Sequence, residues 1–276
     1  MEPRGKFTRR QSLWYKAVTG SYYPALHERE NDRLTITAIV CAYNEARHLP
    51  ACLHSLLAQT RPPDEILVVN NASTDETGAV ARAIDGVRVV DEPSKGLVIA
   101  RETARRAARG EVLAYVDADC RAPIDWLARI EKRMEWLPDA VAVTGPYRFY
   151  DWDRAGRALI RLYDWFVAPP THMLLQHVLH VGAILYGGNF AVRAGALAQI
   201  GGFDRRIEFH GEDTNLGRRL TAVGGVALCP ECWVWTSARR YVAMGKRKVF
   251  GLYVRNFWSE ILRHRPADRE HLDVRA

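Results

Sequence analysis

Glycine-rich phosphate loops are missing from this chain: no G-x-G-x-x-G follows its first strand-like run, and no Walker A sequence occurs. Nicotinamide chemistry and P-loop phosphoryl transfer lose most of their weight on that ground. Cysteine is sparse too. Cys41, Cys52, Cys120, Cys229 and Cys232 make an odd set with no framework spacing, which points to a reducing, cytosolic compartment. Cys229-Pro-Glu-Cys232 has zinc-knuckle spacing, but no second cysteine pair or close histidine pair completes four ligands, so a loop at a strand edge is the better reading. The start, Met1-Glu2-Pro3-Arg4-Gly5-Lys6, leads into no apolar stretch, so no secretory signal is expected. Long hydrophobic runs are absent as well. The longest segment without Asp, Glu, Lys or Arg, Trp165 to Val192, is broken by Pro169, Pro170, His172, Gln176, His177, His180 and Gly182. Its apolar remainder is shorter than the ~20 residues of a spanning helix, and it reads as buried or interfacial.

Lysine is scarce: only six of the 39 basic residues are Lys, so 33 are Arg, and the net charge is +7. Such a balance favours anionic partners, whether phosphates, acidic lipid surfaces or nucleic acid, and does not choose among them. A nucleic-acid-binding module would rest on charge alone. Zinc-finger spacing and aromatic RNA signatures are lacking, and no nucleic-acid partner is expected. With 276 residues, 48% of them hydrophobic, the chain can bury a sizeable core without staples.

What is present begins with a basic, aromatic arm over residues 1–33, including Arg9, Arg10, Trp14, Tyr15, Tyr22 and Tyr23. From Leu34 a regular alternation sets in. Short β-branched runs at Leu34–Cys41, Glu65–Val69, Val87–Val90, Val112–Val116 and Ala140–Thr144 predict strands. Between them, helical spacing predicts helices at Leu49–Ala58, Glu76–Ala83, Leu97–Ala108 and Ile124–Trp136. Strands alternating with helices of this length predict an α/β fold with a mainly parallel sheet. The remainder, 146–276, is less regular and aromatic-rich, and acceptor contacts are expected there.

Ligands of open α/β sheets bind beyond the carboxyl ends of strands. Three polar clusters follow predicted strands: Ala42-Tyr43-Asn44-Glu45, Asn70-Asn71-Ala72-Ser73-Thr74-Asp75 and Asp117-Ala118-Asp119. Paired carboxylates beside diphosphate oxygens suit a hard cation, Mg²⁺ or Mn²⁺, which would offset charge on a nucleoside diphosphate leaving group. The competing reading of Asp117 and Asp119 is a surface pair. Glu212-Asp213 opens a helix at Leu216-Gly217-Arg218-Arg219-Leu220. Two roles fit these acids: capping that helix, or supplying a general base, for which Asp213 is preferred.

Taken together, Ala42-Tyr43-Asn44-Glu45, Asn71-Ala72-Ser73-Thr74-Asp75, Asp117-Ala118-Asp119, Gly187-Gly188-Asn189 and Gly211-Glu212-Asp213 resemble glycosyltransferase family 2, over roughly residues 34–240. The resemblance implies the GT-A fold, a mainly parallel nucleotide-binding sheet flanked by helices with an acceptor-side extension. It also implies an inverting, metal-dependent transfer from a nucleotide-sugar donor (UDP- or GDP-sugar) to a glycan, lipid or small-molecule acceptor. On that resemblance Ala42, Tyr43, Glu45 and Asn71 flank the base, although the Asn71 position is often Asp in the family. Asp117 lies near ribose and metal, Asp119 is the main metal ligand and Asp213 the catalytic base. Lys95 and Arg101 approach the nucleotide, or are solvent-exposed. Gly188, Asn189, His210 and Glu212 belong to the diphosphate or acceptor side. Polymerising members carry Gln-x-x-Arg-Trp and membrane spans; here stand Ser237-Ala238-Arg239-Arg240-Tyr241, which favours a single transfer. Arg239 or Arg240 suits diphosphate binding, or a surface role. The alternative enzyme class is a sugar nucleotidyltransferase, which Gly211-Glu212-Asp213 argues against.

The last segment, 241–276, is expected to hold a basic amphipathic helix and tail. Arg240 to Arg265 carries seven Lys or Arg against one acid, Glu260, with Phe250, Tyr253, Val254, Phe257, Trp258, Ile261 and Leu262 at helical spacing. It either lies on an anionic membrane surface, at the inner face of a membrane, or packs on the domain with its basic face solvated.

Overall fold

The computed structural model describes residues 33–207, 209–265 and 267–268. The basic arm expected at 1–33 lies, Arg33 apart, outside the described residues.

Strands β1 (Ile36–Ala42), β2 (Glu65–Asn71), β3 (Val87–Glu92) and β4 (Val112–Asp117) form where the β-branched runs predict them. β1 shows why the run is unbroken. Ile36, Ala38 and Val40 face one apolar cluster and Ile39 faces another, so both faces of the strand are covered. The first cluster is closed by helix α1 (Leu49–Leu57), through Leu49, Cys52, Leu53 and Leu56, and by α4 (Trp126–Trp136), through Trp126, Leu127, Ile130 and Met134. The second is closed by α3 (Leu97–Ala107), through Val98, Ala100 and Ala104, and by Leu216 and Leu220 of α8 (Glu212–Leu220). A shorter helix, α2 (Thr77–Arg82), joins β2 to β3.

The seven-stranded sheet has the order β3-β2-β1-β4-β7-β5-β8, with β5 at Ala140–Thr144, β7 at Asn189–Arg193 and β8 at Gly225–Leu228. Four of its six pairings are parallel, and β7 is antiparallel to both β4 and β5. The direction of β7 follows from its approach. After β5 the chain leaves past the carboxyl end of the sheet, pairs β6 (Tyr147–Phe149) with the later β9 (Val234–Thr236), and makes a long helical excursion. It returns from that same side and must run down the sheet.

The excursion comprises α5 (Arg154–Leu162), a π turn (Tyr163–Val167), α6 (Ala168–Met173) and a second π turn (Leu174–Val178). Asp153 caps α5 by accepting from Gly156 N–H at 2.6 Å. The first π turn, closed by Ala168 N–H on Tyr163 O, immediately precedes Pro169-Pro170. Prolines have no N–H to continue an α ladder and their rings crowd the carbonyls four residues back, so the helix widens there. α7 (Ala194–Gln199) follows β7, and after β9 come α9 (Arg239–Met244) and α10 (Lys246–Arg263). α10 packs on α8, where the buried Glu260 accepts from Asn215 Nδ2 at 2.9 Å. Among the described residues no helix is long and apolar enough to cross a membrane.

His172 fastens the excursion to the sheet. Ile184 N–H donates to Nδ1 at 3.2 Å, which leaves the proton on Nε2 to donate to Val226 O at 3.0 Å. Burial pushes the imidazole down to about 4, because the charged ring would lose its hydration there. The unfolded chain takes up that proton near pH 6.5 and the native state only near 4. The contribution is therefore present above about pH 6.5 and is lost as pH falls towards 4. Between pH 7 and pH 5 the loss amounts to about 2 kcal/mol. Urea unfolding at the two pH values should show that extra loss in the native protein and not in His172→Gln; equal losses would contradict a buried neutral imidazole.

Candidate active site

Each polar cluster begins within the last two residues of a strand, so the carboxyl edge of the sheet presents all three. The first two are stitched together. Asn44 N–H donates to Ser73 Oγ at 3.1 Å, Thr74 N–H to Asn44 Oδ1 at 2.8 Å, and Glu45 N–H to Thr77 Oγ1 at 2.8 Å. Asp75 accepts from Ala46 N–H at 3.2 Å, which makes it a loop clamp. Tyr43 carries Lys95: Nζ donates to Oη at 2.8 Å and sits 4.1 Å from the ring centroid.

The third cluster meets the loop before β7. Asp117 closes β4 with a side chain 47% exposed, and its N–H donates to Gly188 O at 3.3 Å. A Cβ on Gly188 would fall on the Asp117 carboxylate and within 2.9 Å of Tyr147 Oη, which already accepts from Gly188 N–H at 2.6 Å. A Cβ on Gly187 would stand 2.9 Å from Glu212 Oε1 and 3.4 Å from Asp213 Oδ2. The two glycines thus hold the acids of β4 and of α8 against one turn. Gly211, at φ 79°, makes the left-handed step that opens α8.

Beneath this turn lies Arg101 of α3, 3% exposed. It pairs with Glu212, donates to Gly187 O at 2.5 Å and stands 3.7 Å from Asp117. Burial pushes the Glu212 carboxyl up to about 7 against the pull of Arg101, and pushes the neighbouring Cys41 thiol up to about 12. Asp213 Oδ1 accepts from Thr214 N–H at 2.7 Å; burial raises this carboxyl above the usual range, with the Thr214 N–H and Arg101 opposing. Asp119 is buried more deeply than Asp117. Burial lifts it to about 7, although Arg239 Nη2 stands 3.1 Å from Oδ2.

The other candidates from the sequence are placed as follows. Asn71 uses its side chain within the protein: Nδ2 donates to Ser94 O at 2.7 Å and Oδ1 accepts from Gly96 N–H at 2.8 Å, so it shapes the loop that presents Lys95. Asn189 turns under the sheet, where Oδ1 accepts from Trp126 Nε1 at 3.0 Å and Nδ2 donates to Cys232 O at 2.8 Å. Ala42 is buried in the core. The solvent-exposed reading of Arg101 gives way to complete burial, while Lys95 is exposed. Arg239 bridges Glu45 and Asp119, with Nη1 3.0 Å from Glu45 Oε2, so both carboxylates already share a cation. Arg240 lies over the Phe209 ring at 4.8 Å and donates to Tyr253 Oη at 3.1 Å. Tyr147 was overlooked, although it too follows a strand end, after Gly145-Pro146.

A cavity of about 510 Å³ gathers most of these groups: Tyr43, Glu45, Arg101, Asp117, Asp119, Gly188, His210, Glu212, Asp213, Arg239 and Arg240 line it. Ala42, Asn71, Lys95 and Asn189 do not. Its opposite wall is apolar, built from Tyr163 and Val167 of the excursion and Phe250, Tyr253 and Phe257 of α10. Among the described residues no three His, Cys, Asp or Glu converge as a metal cage. Two carboxylates with hard oxygen donors remain, a set that suits a cation completing its shell with diphosphate oxygens.

An α/β sheet with acids gathered on its carboxyl edge fits a glycosyltransferase, and the family comparison agrees. The model for glycosyl transferase family 2 matches residues 37–201, and the chain belongs to that family. It is 28% identical over 196 residues to the glycosyltransferase AglE of Haloferax volcanii, covering 68% of this chain and 62% of that protein. It is 25% identical over 229 residues to the glucosyl-dolichyl phosphate glucuronosyltransferase of the same organism, covering 80% and 68%. The chain thus spans about two thirds of the length of these relatives. The fold is shared with the mannosyltransferase PcManGT from Pyrobaculum calidifontis in complex with GDP-Man and Mn²⁺, at TM-score 0.64 and 22% identity, over 91% of this chain and 70% of that one. It is shared also with glucosyl-3-phosphoglycerate synthase from Mycobacterium tuberculosis in complex with Mn²⁺, UDP-glucose and phosphoglyceric acid, at TM-score 0.56 and 18% identity, over 95% and 85%. The GT-A fold and membership of the glycosyltransferase class follow.

Gly188→Ala tests the glycine turn. A displaced Asp117 should lower nucleoside diphosphate release on the order of a hundredfold, with a stability loss of only about 1–3 kcal/mol. Unchanged turnover would show that Asp117 does not depend on this close approach.

Proposed function

We propose that the protein transfers one sugar, with inversion, from a nucleoside diphosphate sugar to an acceptor hydroxyl, using a divalent cation, Mg²⁺ or Mn²⁺, at Asp117 and Asp119. The observation that carries this reading is the packing of Asp117 and of Asp213 against the same Gly187-Gly188 turn. It sets a donor-side carboxylate and a base candidate on one cavity wall. When bound, the cation would supply positive charge to the departing diphosphate.

The remaining chemistry belongs to the chain. The acceptor oxygen forms a bond to the anomeric carbon while the bond to the diphosphate oxygen breaks, and a single displacement inverts the configuration. The acceptor proton goes to Asp213, whose carboxylate is made more basic by burial. Arg239, held by Glu45 and Asp119, is a fixed positive charge beside the leaving-group side. Arg101 fixes Glu212 and the Gly187 carbonyl at the cavity wall. Tyr43 and Lys95 mark the edge assigned to the base, and the donors bound in the structural neighbours, GDP-Man and UDP-glucose, support a nucleotide sugar without choosing one. The five free thiols support a reducing, cytosolic setting. A nucleotidyltransferase would release pyrophosphate, whereas this reaction releases a nucleoside diphosphate.

Asp213→Asn should leave the Kd for UDP-glucose or GDP-mannose with Mn²⁺ within about threefold, by calorimetry. It should lower nucleoside diphosphate release by about 10²–10⁴-fold. A variant that turns over at the native rate would move the base elsewhere, and Asp119→Ala retaining the full Mn²⁺ requirement and affinity would remove the cation from this pair.

A further inference from the structure

The apolar wall of the cavity continues onto the outside of the molecule. The excursion helix and α10 run side by side, tied near one end by the Lys246–Asp153 ion pair. Near the other end, a Cβ on Gly182 would lie 3.0 Å from Ile261 Cδ1. Both elements present large apolar side chains to solvent. Trp165 and Phe166 are each 71% exposed, with Leu162 and Val178 beside them on the excursion, and Leu262 is 72% exposed on α10. At the cavity rim the two sets meet, through Val167 from the excursion and Phe250, Val254 and Trp258 from α10.

The charge on these elements has one sign. The excursion carries Arg154, Arg157 and Arg161, and α10 carries Lys246, Arg247, Lys248, Arg255 and Arg263. Each element contains one acid, and both acids are buried and paired inward: Asp164 with Arg148 at 2.9 Å, and Glu260 with Arg218 at 3.4 Å. Within the two helices no carboxylate is exposed; at their ends the cap Asp153 pairs with Lys246, and Asp268, just past α10, pairs with Arg255. A protein partner would meet this face with complementary acids and a closed apolar patch. An anionic bilayer offers negative headgroups and hydrocarbon together, which is the pairing this face presents.

We propose that the excursion helix and α10 form a docking surface for an anionic lipid bilayer, with the cavity mouth set against the headgroup layer. Trp165 and Phe166 enter the interface, where aromatic rings are favoured, and the Arg and Lys side chains take the phosphates. The surface needs both elements. The sequence marks α10 as a candidate membrane-surface helix and leaves the excursion as buried or interfacial; the excursion supplies the most exposed rings of the surface. Docking concerns partner binding alone, so it stands or falls separately from the assignment of Asp213.

The test is co-sedimentation of the full chain with vesicles of phosphatidylcholine, with or without phosphatidylglycerol. Binding should be at least about tenfold tighter to the anionic vesicles and should weaken as salt rises. Trp165→Glu/Phe166→Glu, neither of which lines the cavity, should lose that binding at least about tenfold while keeping the native unfolding temperature. Arg247→Glu/Lys248→Glu should lose the preference for phosphatidylglycerol. Native protein that stays in solution with anionic vesicles would overturn the proposal. So would full binding by the Trp165→Glu/Phe166→Glu variant, or a lipid-free dimer that this variant dissociates while neither form binds vesicles.

Discussion

A buried guanidinium organises the carboxyl edge of the sheet. Removing Arg101 from water costs several kcal/mol, and the cost is offset only where acceptors surround it closely. Glu212 at the start of α8, the Gly187 carbonyl before β7 and Asp117 at the end of β4 provide them. Four elements remote in sequence are therefore held in one arrangement. Asp213, next to Glu212, inherits its position from that arrangement, and the Gly187-Gly188 turn has no room to vary once the carboxylates pack on it.

The antiparallel β7 serves the same end. A strand entering from the carboxyl edge brings its leading turn directly over the end of β4, where a parallel strand would have left that turn at the opposite edge. The long connection that makes the return possible is itself used twice: its inner side walls the cavity, and its outer side carries the exposed aromatics. A single cavity thus has a charged half rooted in the sheet and an apolar half rooted in the two outer helices.

Much of this was legible in the sequence, and the reasons differ by element. Strands β1 to β5 fall within one or two residues of their apolar runs, because strands covered on both faces leave an unmistakable pattern. The rule that polar residues after strands gather at the carboxyl edge picked out Tyr43, Asp117 and Asp119, which line the cavity. It could not say which way an individual side chain turns. Asn71 and Asn189 occupy the expected backbone positions, yet their amides are consumed by the 92–96 loop and by Trp126 and Cys232. The Arg239 bridge to Glu45 joins residues 194 apart, and no local pattern encodes it. The excursion was the least legible part. Apolar residues on its buried and exposed sides blur the helical period, and Pro169-Pro170 suggests a break where the chain instead forms a wider turn.

The most direct measurement is a stability cycle on the central pair, by urea unfolding of Arg101→Met, Glu212→Leu and the double variant. Each single change strands a buried charge, so Arg101→Met alone should lose about 3–5 kcal/mol, while the double variant should recover much of that loss. A coupling of at least about 2 kcal/mol is the expected result; losses that simply add to within about 0.5 kcal/mol would mean that Arg101 and Glu212 do not hold the site together.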